Sequence, residues 1–196
     1  MVSIDQLAKI NQRRLGKIKP VKLKKPPKWH PASSQEREYI RVLFSLTNEL
    51  KEQIKKIIVP ALPSLISEVE QLYPTSASRG DDFSDELKML INSVIHAIKG
   101  KVEETIEKSE IIGVQIARYN KRQFDRITNS VFGIDIFIDQ PWLQDQLKLF
   151  ASQNAQLIRS IPAQELDQVA QIIERGLQEG SRFHSMTQSI QERFGI

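Results

Sequence analysis

Along most of this chain apolar residues recur at intervals of three and four, the period of a helix that buries one face. Over residues 36–59 the stripe runs Ile40, Leu43, Leu46 (or Thr47), Leu50, Ile54 and Ile57. Ser34 is placed to cap that helix, and Pro60 and Pro63 are expected to stop it, because proline lacks a backbone donor and clashes with the preceding turn. Residues 64–73 repeat the pattern with Leu65, Ile66, Val69, Leu72 and Tyr73 ahead of Pro74, and the polar run 75–81 reads as a loop. The longest periodic stretch follows, with Asp82 or Ser84 as its cap. Leu87, Ile91, Val94, Ile98, Val102 and Ile106 pass into Ile112, Ile116, Tyr119, Gln123, Ile127 and Val131, with polar Gln123 as the one lapse. Gly100 and Gly113 interrupt this run, which predicts either one long bent helix or two stacked ones over 84–130.

Gly133 should end that helix. Residues 134–138 alternate apolar and acidic with period two, the only strand-like stretch, and one strand makes no sheet. Beyond it the pattern predicts helices over 141–159, carrying Trp142, Leu143, Leu147, Phe150 and Leu157, and over 163–179, carrying Leu166, Val169, Ile172, Ile173 and Leu177. Pro162 separates these two, and Gly180 precedes a last helix over 185–194 with Ile190 and Phe194 inward, closed by Gly195. The expected fold class is all-α: an elongated helical protein with one long helix, a small C-terminal helical module and an extended N-terminal arm. Its expected parts are 1–35, 36–132 and 133–196. Leu143, Leu147, Leu166, Ile172, Ile173, Leu177, Gly180, Ile190 and Phe194 are the residues expected to build the C-terminal module.

Charge changes the picture at the N-terminus. The 196 residues hold 28 Lys+Arg and 24 Asp+Glu, but residues 1–30 hold nine of those cations and a single acid, Asp5. The arm is therefore +8 and the remaining 166 residues are −4. Pro20, Pro26, Pro27 and Pro31 interrupt it, and it has too few large apolar residues to offset its ordering entropy by burial. Arg13, Arg14, Lys17, Lys19, Lys22, Lys24, Lys25 and Lys28, with Trp29 as an apolar anchor, form a candidate binding segment for DNA phosphates or for an acidic protein surface.

Candidate chemistry is sparse. With no cysteine and three histidines, none of which has a second ligand three or four residues away, the sequence offers no metal set. No phosphate-binding glycine loop, dinucleotide fingerprint, zinc-protease helix or nucleophile elbow is present. The sequence predicts a protein that is not an enzyme and needs no cofactor. It predicts no membrane span, and the first ten residues, with Asp5 and Lys9, do not read as a secretory signal.

Three short runs carry a resemblance. N-x-x-L-I-R-S-I-P (Asn154 to Pro162), the R-G-x-x-E-G turn (Arg175, Gly176, Glu179, Gly180) and I-x-x-R-F-G (Ile190, Arg193, Phe194, Gly195) look like the phage Mu F-like minor head proteins, also called head morphogenesis proteins. Upstream, Gly133–Ile134–Asp135 and Pro141–Trp142–Leu143 agree in kind, so the resemblance covers about residues 110–196. It implies a virion protein, acting in head assembly near the portal, with the portal or major capsid protein, or DNA through the arm, as candidate partners. A competing reading treats 163–194 as a helix-turn-helix of a cytoplasmic DNA-binding regulator. Residues 163–196 hold three arginines (Arg175, Arg182, Arg193) against five acids, and a module of net −2 is a poor reader of a polyanion.

Overall fold

The computed structural model describes residues 25–72, 82–132, 141–179 and 183–195, and among them it is all-α, with no strand. Helix α1 (Ser33–Gln53) runs through a π-helical turn (Ile54–Ile58) into α2 (Val59–Leu72). Helix α3 spans Asp82–Phe132, α4 Pro141–Gln178 and α5 Phe183–Phe194. Contacts divide the chain into two units. Of the first the described residues are 25–31 and 120–132, and of the second 32–72, 82–119, 141–179 and 183–195. The strand-like run 134–138, the loop 75–81 and Gly180 lie outside the described residues.

The second unit is built from the apolar stripes. Leu46, Leu50, Ile54, Ile58 and Leu62 follow one another at intervals of four and are at most 1% exposed. In a regular α-helix each four-residue step overshoots a full turn by about 40°, so five such residues would spiral off a single face. The π-helical turn is wider, with the Val59 N–H donating to the Ile54 carbonyl five residues back, and it takes up part of that drift. It also ends directly before Pro60. The expected stop at Pro60 and Pro63 is therefore corrected: Pro60 enters near the start of α2, and Pro63 lies inside it. The same shift buries Ile58 where the sequence pattern pointed to Ile57, which is only half-buried.

Across from this row stand Leu87, Val94, Ile98, Val102 and Ile106 of α3, then Ala155, Ile158, Leu166, Val169, Ile173 and Leu177 of α4, and Met186, Ile190 and Phe194 of α5, all in one buried cluster. Helix α5 packs on both α4 and α2, and α1 packs on α4. Of the residues expected to build the C-terminal module, Leu166, Ile173, Leu177, Ile190 and Phe194 are buried and Ile172 is half-buried against the same cluster. Leu147 is half-buried, and Leu143 lies in α4 outside the described side chains.

Pro162 does not separate two helices. Helix α4 continues through it, giving up the hydrogen bond that an N–H at 162 would make to the Ile158 carbonyl. Ile158 and Leu166, each 1% exposed, sit one turn on either side and hold the helix in place by burial. Leu157, expected inward, is exposed, and Ile158 takes its place. Ser34 does not cap α1: Ala32 holds the N-cap position without a side-chain hydrogen bond, its carbonyl accepting from the Glu36 N–H, while the Ser34 hydroxyl donates to Gln35.

Helix α3 is a single helix through both Gly100 and Gly113. A Cβ at Gly100 would meet open space, whereas one at Gly113 would come within 2.9 Å of the Phe150 ring, so Gly113 is where α4 comes close. Gly176 does the same for α5, since a Cβ there would collide with Met186 Cγ and Sδ. Two buried hydroxyls on α3, Thr105 and Ser109, donate to their own helix at the Lys101 and Ile106 carbonyls. The Tyr39 hydroxyl donates to Asn154 Oδ1 at 2.6 Å, satisfying one end of a buried amide. Gly195, at φ +63°, closes α5 in the left-handed conformation that favours glycine.

Candidate polyanion-binding surface

In the first unit a short non-helical segment, residues 25–31, lies on the last turns of α3. Its sequence, K-P-P-K-W-H-P, explains why it is not helical: three prolines remove three backbone donors and fix three φ angles. Such a segment needs donors and acceptors supplied from elsewhere, and Gln123 supplies them. The His30 N–H donates to Gln123 Oε1 at 2.8 Å, and Gln123 Nε2 donates back to the His30 carbonyl at 2.6 Å. A primary amide carries one acceptor and a donor pair in a plane, so it pairs with a peptide group much as a neighbouring strand would. This accounts for the polar lapse in the α3 stripe: Gln123 is buried, and both ends of its amide are hydrogen-bonded to the His30 backbone, which an apolar side chain could not do. Thr128, also buried, donates its hydroxyl to the Phe124 and Asp125 carbonyls of its own helix.

Segment and helix together enclose a cleft of about 100 Å³ lined by Pro27, Lys28, His30, Gln123, Arg126 and Ile127. Lys28 and Arg126, far apart in sequence, thus share one concave site. Around them Lys25, Lys121 and Arg122 are exposed as well, giving five cations in 20 described residues against one acid, Asp125. The ion pairs among the described residues lie in the second unit, for example Lys101 and Lys108 with Glu104, and Arg159 with Glu103, so none of these five cations is neutralised by a carboxylate there. Asp125 forms no ion pair among the described residues, and its Oδ1 is buried and accepts no hydrogen bond. Trp29 stands beside Lys28 with 48% of its surface exposed.

Of the residues singled out from the sequence, Lys25, Lys28 and Trp29 belong to this surface. Arg13, Arg14, Lys17, Lys19, Lys22 and Lys24 lie outside the described residues. Sequence reasoning missed Lys121, Arg122 and Arg126 on the helical side. Two signals mark them: the run K-R-Q-F-D-R, which puts three cations and one acid within six residues, and Gln123 at a position where the period demands an apolar residue.

Among the described residues, the 163–194 helix pair encloses no cleft with two cations in its lining. Its buried residues serve packing, and the one cation of α5, Arg193, is paired with Glu165 at 3.3 Å. His96 and His184 are exposed, and among the described residues no group of three or more His, Cys, Asp or Glu is placed to hold a metal ion. No helix among the described residues is long and apolar enough to cross a membrane. Comparison with models of known families, with curated proteins and with solved structures finds no match.

Proposed function

We propose that this chain is a minor head protein of a phage, a virion component that acts in head morphogenesis at or near the portal by binding and without chemistry of its own. The phage-head part of the reading is supported by the motifs at 154–162, 175–180 and 190–195. The binding part is supported by the geometry, and one observation carries it: five exposed cations without carboxylate partners among the described residues, and a half-exposed tryptophan, on a proline-rich segment and the stretch of α3 to which the Gln123 amide ties it. The helical second unit supplies the scaffold, and the arm and the surface it joins supply the contact, with the portal or major capsid protein, or with DNA in the head.

The test is capture of the full chain by the portal of the phage that encodes it, together with mass spectrometry of purified heads. The expected result is a low-copy head component captured by portal at low salt. Absence from heads together with failure to bind portal would overturn the phage reading.

A further inference from the structure

We infer that the surface formed by residues 25–31 and 120–127 is a single-stranded nucleic-acid site, in which Lys28 and Arg126 take one phosphate at the cleft and Trp29 stacks an adjacent base. The inference rests on reading this unit as the binding surface, and it names the ligand class. Three observations favour a nucleotide strand over an acidic protein. The first is the pairing of cations across the cleft. Lys28 and Arg126 come from separate elements and line one cavity of about 100 Å³ with no carboxylate among its lining residues, which suits a compact multivalent anion.

The second is Trp29. It does not line the cleft itself but lies between two residues that do, Lys28 and His30, and about half of its surface is open. An acidic peptide satisfies cations but brings no flat ring to that open surface, whereas a nucleotide brings an anion and a π-face as neighbours on one strand. A duplex offers its phosphates but keeps its bases stacked on one another, so it would engage Lys28 and Arg126 without Trp29. The third is rigidity. The Gln123 amide ties the His30 backbone to α3 through both its N–H and its carbonyl, so the segment's backbone is anchored at that point before any ligand arrives, and less ordering entropy is lost on binding.

The experiment uses the full chain carrying Trp142→Phe, which leaves Trp29 as its only tryptophan, and titrates it with a short oligothymidylate, with a duplex of equal length and with polyglutamate. Saturable quenching of Trp29 by the oligothymidylate is expected, weaker binding of the duplex, and none of polyglutamate. The Lys28→Ala/Arg126→Ala double variant should weaken the single strand about tenfold or more. Its log–log salt slope should flatten by roughly 0.7 for each phosphate that is no longer neutralised. Trp29→Ala, read by anisotropy of a labelled oligonucleotide, should also weaken binding about tenfold. Circular dichroism of the variants should match the parent, since all three side chains are exposed. Equal affinity for duplex and single strand, indifference to Trp29→Ala, or preference for polyglutamate would overturn the inference. Failure of oligothymidylate binding with portal capture intact removes the nucleic-acid site and leaves the head-protein reading standing. Strong oligothymidylate binding by a chain absent from heads does the reverse.

Discussion

The two units of this chain use their side chains in opposite ways. In the second, apolar residues at helical spacing meet in one cluster, and some of the charged residues on the outer faces pair with neighbours a turn away, as Lys101 and Lys108 do with Glu104. In the first, the contact that ties the segment to the helix is a polar one, between the Gln123 amide and the His30 backbone, and the cations have no carboxylate partner among the described residues. The comparison separates stability from binding. Burial in the second unit is worth kilocalories per side chain and takes no interest in a partner, while the first unit buries few apolar atoms and keeps its charge available.

That separation can be broken most forcefully at the π-helical turn. Ile58→Ala removes a fully buried side chain from the row that the wide turn aligns, and it should destabilise the protein by about 2–5 kcal/mol, measured as a fall in the urea midpoint, with ligand affinity of the surviving folded fraction unchanged. Next comes Gly176, where a methyl group would collide with Met186. Gly176→Ala should lose about 1–3 kcal/mol by overpacking, and adding Met186→Ala should recover part of that loss, so the double variant should be more stable than the sum of the singles predicts. A smaller effect, with a different readout, is expected at Gln123. Gln123→Leu removes two hydrogen bonds of about 0.5–1.5 kcal/mol each and frees residues 25–31, which should appear as faster tryptic cleavage after Lys28 and weaker binding, while the unfolding midpoint of the helical body barely moves.

The smallest effect belongs to Glu104. Lys108 first, and Lys101 second, hold its carboxyl below the ordinary value of 4.5 by hydrogen bonding and charge. A lowered native pKa contributes stability that is present above the ordinary glutamate pKa and is lost as pH falls through the native one. The difference in unfolding midpoint between the wild-type chain and Glu104→Gln should therefore favour wild type at neutral pH, shrink under acid, and be reduced by salt at all pH values above that window, since the site is open to solvent.

Legibility followed the same division. The stripes over α1, α3, α4 and α5 were readable because burial of one helical face imposes a period, and Leu46, Leu50, Val94, Ile98, Leu166, Ile173 and Ile190 are where that period puts them. What the period could not show was continuity through proline. Whether Pro60, Pro63 and Pro162 end a helix depends on how much burial lies on either side and on a wider turn that no local propensity signals. The surface was half legible: Lys28 and Trp29 stood out through the charge and composition of their segment, while Arg126 did not, because its role comes from sharing a cleft with Lys28, 98 positions away in sequence, beside an amide that looked like a flaw in an apolar stripe. Gln123 shows why such lapses are informative: a polar residue is kept at a buried position when it answers backbone groups that have no other partner.

The most direct test neutralises Lys25, Lys28, Lys121, Arg122 and Arg126 together by alanine and measures, on the same samples, the urea midpoint and binding to portal and to oligothymidylate. An unchanged midpoint with salt-sensitive binding abolished is the predicted result. Binding retained at full strength, or a midpoint that falls along with it, would contradict the assignment of function to this surface and of stability to the helical core.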